Sequence, residues 1–416
     1  MRLKILAPLR HRNFRLLFIG QAISMIGNQL YFVALPFQIL ALHGSPLQLG
    51  TGFAIFATAQ LVTILFGGAL VDRLPRRRVI LTMDLLSTVV VAMVAVLGFT
   101  HRLEIPYLYV LSAFFGATFS FYTPALSAIM PELIPPDVLV PGNALRGLSG
   151  QSARVIGPLI GGLVVSTAGP PWAFAIDAAT FAFSFVVFFF ASPPERQPAP
   201  RKPLLAEIRE GVAYTFSVTW IWVAIIGFAA TNGFFFAGFT VALPFLVLNV
   251  LHGTAATYGV IGAAAGVGEV AGGLIVGNMH FKNLLVGTYV FSALLGLSFA
   301  IYGIAPLLPV VLIGGFAFSL CIVASNTHWD SALQQHVPPN LIGRVTSVDF
   351  FGSYLVGPIA PVIAAAALNR IGPSLIFVIG GLITFVYWAV AWAILRPDGR
   401  LANPALAQLD MPARPE

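Results

Sequence analysis

Val33-Ala34-Leu35-Pro36-Phe37 returns intact as Val241-Ala242-Leu243-Pro244-Phe245, and each copy leads to a matching turn, His43-Gly44-Ser45 and His252-Gly253-Thr254. Further along, Ile134-Pro135-Pro136-Asp137-Val138-Leu139 recurs as Val337-Pro338-Pro339-Asn340-Leu341-Ile342, and Gly157-Pro158 recurs as Gly357-Pro358. The offset drifts from 208 to 203 to 200 residues, as small loop deletions produce. Four matches in one order describe two related halves. In an apolar chain, paired repeats point to a carrier whose halves rock about a site held between them.

Hydrophobic residues make up 58% of the 416-residue chain and charged residues only 9%. A soluble domain carries about 25% charged residues, so lipid rather than water must cover most of this surface. Runs of about 20 apolar residues, long enough to cross hydrocarbon, fall near 16–42, 47–71, 79–99, 106–130, 144–167 and 172–191. A second set falls near 219–248, 255–276, 284–305, 307–330, 345–368 and 373–395. The expected fold is an all-α membrane protein with twelve transmembrane helices in two pseudo-symmetric six-helix bundles. The basic N-terminus, Met1–Arg15, precedes an apolar run too long for a signal-peptide core, and that run reads as the first membrane helix.

The net charge of +7 is explained by where the charges sit rather than by nucleic acid. If the N-terminus is cytoplasmic, one side of the membrane holds Arg2, Lys4, Arg10, Arg12, Arg15, Arg73 and Arg76-Arg77-Arg78. Arg196, Arg201, Lys202, Arg209, Lys282, Arg344 and the three C-terminal arginines fall on the same side, while the outer loops hold only Arg102 and Arg370. The positive-inside rule then places both termini in the cytoplasm of a multi-pass inner (plasma) membrane protein. Expected domains are 1–191, a linker 192–218, 219–396 and a tail 397–416. The linker opens on Pro193, Pro194, Pro198, Pro200 and Pro203, then sets Leu204, Leu205, Ile208 and Val212 on one face of a short amphipathic helix, expected along the membrane surface.

Between the second and third runs stands Gly67-Gly68-Ala69-Leu70-Val71-Asp72-Arg73-Leu74-Pro75-Arg76-Arg77-Arg78, which resembles the loop signature of the major facilitator superfamily. Gly68, Asp72, Arg73 and Arg76 would form its cytoplasmic gate, with Asp72 and Arg76 four apart and able to pair across a helical turn. Pro75 stands where the family usually has glycine. A weaker copy, Gly272-Gly273-Leu274-Ile275-Val276-Gly277, has lost the acid. In the fifth run Ala144, Ala153, Gly157, Pro158, Gly161 and Gly162 reproduce the spacing of the superfamily's antiporter motif, with alanine at its two leading glycine positions. Small residues let helices approach closely, and Pro158 bends the helix beside them. Plain close packing is the alternative reading.

Three phrases resemble the third drug–proton antiporter group, which includes macrolide efflux and enterobactin export proteins. They are Phe14-Arg15 leading to Gln21-Ala22-Ile23-Ser24-Met25-Ile26-Gly27, Phe174-Ala175-Ile176-Asp177-Ala178-Ala179-Thr180-Phe181, and Gly343-Arg344-Val345. The resemblance covers residues 10–395. Many relatives have an acid after the first-helix glycine where this chain has Asn28. The resemblance implies a secondary exporter of amphipathic small organic molecules (drug, macrolide or siderophore-like), coupled to protons and acting as a monomer. Alternatives are an uncoupled facilitator or importer, and a membrane-integral enzyme or scaffold.

In that fold the first, fourth, seventh and tenth helices line a central cavity. Gln21, Ser24, Asn28 and Tyr31 share one helix face, as do Ser112, Phe115, Phe119 and Tyr122. The seventh helix offers Asn232, Phe235, Phe236 and Phe239, and the tenth Ser319, Asn326 and Asp330. Such a wall suits a partly apolar organic substrate. His328 reads as a hydrogen-bonded interface residue, no histidine pair has metal-ligand spacing, and no GxxxxGK[ST] loop is present, so no metal, cofactor or nucleotide is expected. Arg154 and Glu269 fall at similar depths in the fifth and eighth helices. Either charge alone would cost about 2.5–3.5 kcal/mol at the bilayer centre, so they are expected to pair across the halves in one conformation and part in the other, with protonation of Glu269 biasing the exchange. A permanent structural ion pair and two unrelated cavity-lining charges are the alternatives. Asp177 is a further candidate for coupling.

Overall fold

The computed structural model describes residues 4–71, 74–192, 204–278, 283–305, 307–339 and 341–395. The first half consists of α1 (Arg12–Ala41), α2 (Pro46–Val71), α3 (Arg76–Phe99), α4 (Ile105–Leu133), α5 (Leu139–Ala168) and α6 (Pro170–Phe189). A shorter helix, α7 (Leu204–Ser217), leads into α8 (Thr219–Val250), α9 (Ala255–Asn278), α10 (Leu284–Ile304), α11 (Leu308–His336), α12 (Ile342–Tyr354) and α13 (Ala360–Leu395). The last helix is two passages end to end. Gly372, at φ 75° and ψ 167°, breaks it just before Pro373, so 360–371 completes the passage that α12 begins and 373–395 forms the last one. Twelve passages result among the described residues, at the positions expected from hydropathy.

Local chemistry sets the ends of several helices. Ser45 and Gln48 form a reciprocal cap at the start of α2: Ser45 N–H donates to Gln48 Oε1 at 2.8 Å and Gln48 N–H to Ser45 Oγ at 3.2 Å. Asn283 Oδ1 caps α10, accepting from the Leu285 and Val286 amides at 3.0 and 3.4 Å. The repeat is visible in the backbone too. His43 and His252 both adopt left-handed conformations, φ 57° and 49°, and each ends the first helix of its half. Pro36 lies inside α1 and Pro244 inside α8, where the winding on either side of the proline is π-helical. A proline withholds one intrahelical hydrogen bond, which loosens both helices at equivalent places.

Packing follows the same symmetry. In the first half α1 packs on α5 and α6, α2 on α4, and α3 on α4 and α6. In the second, α8 packs on α12 and α13, α9 on α11, and α10 on α11 and α13. The repeated pentapeptides sit in the two cores: Ala34, Leu35, Val241 and Ala242 are fully buried. Outward, Val110, Leu163, Val186, Ile313, Ile363 and Ile394 are exposed, an apolar shell that only lipid covers without penalty. The helix ends near Arg12, Arg76 and Arg344 define a basic end, and the turns at His43 and His252 lie at the far end.

The linker helix does more than float beside the bundle. Glu210 pairs with Arg344 of α12, and Gly211 lies so close that a Cβ on it would meet the Arg344 Cβ at 2.9 Å. The antiporter-group phrase at Gly343-Arg344-Val345 therefore anchors α7 to the second half. The proline-rich stretch 193–203, the tail from 396 onward and the burial of Leu204, Leu205 and Ile208 lie outside the described residues.

Candidate substrate site

A cavity of about 280 Å³ runs from mid-depth toward the basic end, and every residue lining it belongs to the first half. From α1 come Gln21, Met25, Asn28, Gln29 and Phe32, and from α4 Phe115, Thr118, Phe119, Tyr122 and Leu126. Phe56, Ser87 and Phe181 close the sides, and α5 contributes Arg146, Gly150, Ala153 and Arg154. The wall combines aromatic, amide and hydroxyl side chains with two arginines. A smaller cavity of about 70 Å³ bridges the halves between Gln60 of α2, Asn232 and Phe236 of α8, and Phe350 and Tyr354 of α12.

Gln21, Asn28, Phe119 and Tyr122 thus line the main cavity, and Asn232 and Phe236 the smaller one. Ser24, Tyr31 and Ser112 line neither in this conformation. Tyr31 is fully buried and stacks on Phe115 at 4.1 Å between ring centroids, its hydroxyl donating to Ser112 Oγ at 3.4 Å. The polar stripe on α1 divides because part of it faces the cavity and part faces α4. Asn326 and Asp330 are exposed and line neither cavity. His328 is buried, its Nδ1 2.7 Å from the Ala324 carbonyl oxygen.

Behind the wall stands a carboxylate that the sequence did not single out. Asp84 of α3 is fully buried and accepts from Tyr122 Oη at 2.9 Å and from Ser184 Oγ at 2.7 Å. Gln21 Nε2 donates both to the Tyr122 hydroxyl and, at 3.3 Å, to Ser184 Oγ. Four helices therefore meet in one polar network whose inner member is an acid and whose outer members face the cavity. Networks of this kind fix helix register because each buried polar group needs its partner.

A second buried acid, Asp177 of α6, is fully enclosed, and among the described residues neither carboxylate oxygen has a hydrogen-bond partner. It faces Gly27 of α1: a Cβ there would come within 2.7 Å of Asp177 Oδ1 and 2.1 Å of Thr180 Oγ1. The first two antiporter-group phrases are thus in contact with each other, glycine against acid.

The halves meet mainly along two helix pairs, α5 with α9 and α2 with α13, with lesser contacts of α1 on α9 and α2 on α8. At the far end the α5–α9 contact is backbone on backbone. A Cβ on Gly259 would fall 2.3 Å from the Pro158 carbonyl oxygen, and one on Gly162 would fall 2.5 Å from that of Ala255. Gly157 and Gly161 face the opposite way, onto Gln29, Leu30 and Val33 of α1. Nearby, Phe37 meets Tyr258 and Phe53 meets Phe236 edge-on across the boundary, at 5.7 and 6.0 Å. Deeper, Arg154 Nη1 reaches Glu269 Oε2 at 2.6 Å.

The model of the Major Facilitator Superfamily matches residues 17–361, most of the chain. The chain belongs to that superfamily. Similar curated proteins are enterobactin exporters: that of Citrobacter koseri is 27% identical over 381 residues, covering 87% of this chain and 89% of that protein. The exporter of Shigella boydii is also 27% identical, over 391 residues, covering 90% and 92%. Among solved structures, a bacterial homologue of the human lysosomal transporter Spinster, inward-facing and unoccupied, superposes with a TM-score of 0.69 at 15% identity, covering 98% of this chain and all of that one. A POT family transporter in complex with 5-aminolevulinic acid gives a TM-score of 0.72 at 13% identity, covering 92% and 96%. At such identities the structures speak for the major facilitator fold alone.

Within that fold the loop signature is only partly described. Gly68 lies in α2, while Asp72 and Arg73 fall outside the described residues. Arg76 at the start of α3 pairs with Glu132 near the end of α4, a partner the local spacing of Asp72 and Arg76 did not suggest. Among the described residues no three histidine, cysteine or acidic side chains cluster as metal ligands do.

Proposed function

We propose that this major facilitator protein is a secondary exporter of amphipathic small organic molecules, working by alternating access in exchange for protons. The carrying observation is the pairing of a backbone seam at the far end with a cavity of about 280 Å³ toward the basic end, walled by rings and amides. Such a wall suits a bulky, partly apolar substrate, and the enterobactin exporters among its relatives support outward transport of a siderophore-like or drug-like molecule. With the basic end cytoplasmic, by the positive-inside rule, the cavity is loaded from the cytoplasm of an inner-membrane protein. The bundles take residues 1–191 and 219–396, and a single copy suffices.

In this reading Gln21, Asn28, Phe119, Tyr122, Asn232 and Phe236 touch substrate, Arg154 and Glu269 join and part as the halves rock, and Asp72 latches the basic end when the cavity faces outward. The decisive measurement is transport of a panel including catechol siderophores and macrolides in inverted vesicles, with the pH gradient present or collapsed. Uptake that needs the gradient is expected. Uptake indifferent to it supports an uncoupled facilitator, and no uptake of any amphipathic compound overturns the proposal.

A further inference from the structure

The main cavity carries charge of one sign. Among its lining residues Arg146 and Arg154 are basic and none is acidic. Both arginines stand on one face of α5, eight residues or about 12 Å apart along the axis. Between them Gly150 leaves the helix bare: a Cβ there would find only the Met25 sulfur, at 4.0 Å.

The two guanidiniums are not equivalent. Arg154 is engaged by Glu269 at 2.6 Å. Among the described residues Arg146 has no carboxylate partner, and its hydrogen bond goes to Ser127 Oγ at 3.3 Å. The acids on the surrounding helices are all occupied or turned away. Glu132 of α4 holds Arg76, Asp84 of α3 is buried behind Tyr122 and Ser184, and Asp177 of α6 is enclosed against Gly27. Helices α1, α2 and α5 contain no acidic residue. A guanidinium that lacks a counter-ion in a wall of rings and amides favours an anion, since charge-assisted hydrogen bonds strengthen as water is displaced. Phe32, Phe115 and Phe119 line the same cavity and supply apolar contact for the rest of such a molecule.

Building on the exporter reading, we infer that the cavity selects amphipathic organic anions, with Arg146 receiving a carboxylate, sulfonate or ionised phenolic group and the aromatic wall taking the apolar body. An organic cation of the same shape meets like charge at Arg146 and is disfavoured.

Three probes of one shape and different charge test this: 2-naphthoate, 2-naphthamide and 2-naphthamidine, titrated into the purified full-length protein in nanodiscs. Naphthoate is expected to bind about tenfold tighter than the amide, the gain typical of a hydrogen bond to a charged group, and the amidine weaker than either. Arg146→Gln should bring naphthoate close to the amide while leaving amide binding in place, and Arg146→Lys should keep part of the preference. Equal or tighter amidine binding, a naphthoate preference that survives Arg146→Gln, or no saturable naphthoate binding at millimolar concentration overturns the inference. If Arg146→Gln binds nothing, added chloride on the wild-type protein decides. Weakening of naphthoate alone supports the site, because chloride competes for the guanidinium, and a preference untouched by salt overturns it. Intact anion selectivity in nanodiscs with no uptake in inverted vesicles would remove the exporter reading and leave the anion site standing.

Discussion

Arg154 of α5 and Glu269 of α9 close a 2.6 Å ion pair across the boundary between the two halves, with the glutamate largely buried and the arginine side chain 58% exposed on the cavity wall. The pair is a charged link between the two halves, which the proposed alternating access would move apart. Because the arginine is so exposed, water can take over its hydration when the pair opens, whereas the largely buried glutamate loses its counter-charge. Glu269→Gln keeps an acceptor for Arg154 and removes the charge. Substrate binding is expected to persist while transport in inverted vesicles stops responding to the pH gradient. Full proton-driven efflux in this variant would move the coupling role to Asp177 or Asp330.

The Asp84 network makes a prediction about stability. Asp84→Leu leaves the Tyr122 and Ser184 hydroxyls without their acceptor and should cost about 2–3 kcal/mol. Asp84→Asn retains one acceptor oxygen and should cost clearly less. Thermal unfolding of the purified variants measures both, and a leucine variant that melts with the wild type would show that the network contributes no stability.

The seam at the far end tolerates no added carbon. In Gly259→Ala the new methyl would lie 2.3 Å from the Pro158 carbonyl oxygen, and overpacking of this kind costs about 1–3 kcal/mol. That penalty falls only on the conformation in which the seam is closed, so it shifts the population rather than unfolding the protein. Spin labels on His43 and Thr254, at far-end turns of opposite halves, should show a longer distance distribution in the variant. An unchanged distribution would mean that the helices yield locally instead.

Asp72→Asn addresses the loop between α2 and α3. Transport is expected to fall while expression and folding stay normal, because a latch acts in one conformation only. Normal efflux would reduce the loop to a topogenic cluster of arginines, with the Arg76–Glu132 pair supplying its structural role.

The spans were legible because length and apolarity alone decide them, and the repeat because it survives in both sequence and backbone, down to the left-handed His43 and His252. The Arg154–Glu269 contact could be read from depth, since two lone charges at one level of a membrane seek each other. Asp84 escaped notice inside an apolar run of α3: its partners Tyr122, Ser184 and Gln21 lie on three other helices, and no local spacing announces them. Tyr31 and Ser112 were expected on the cavity wall because a polar stripe looks the same whether it faces water or a neighbouring helix. Arg76 shows a related limit, since a partner four residues away is easy to propose and Glu132, on α4, is not.

At its far end the α5–α9 seam is made of main chain, and this bears on how abruptly that end can part. Two surfaces of bare backbone hold no rotamers to freeze on closing or release on opening, so their parting carries little entropy of its own. What holds them is dispersion between atoms in direct touch, which fades over roughly an ångström. Gly162 and Gly259 therefore behave less like a spring than like a magnetic catch, firm at contact and nearly without pull once a thin gap exists.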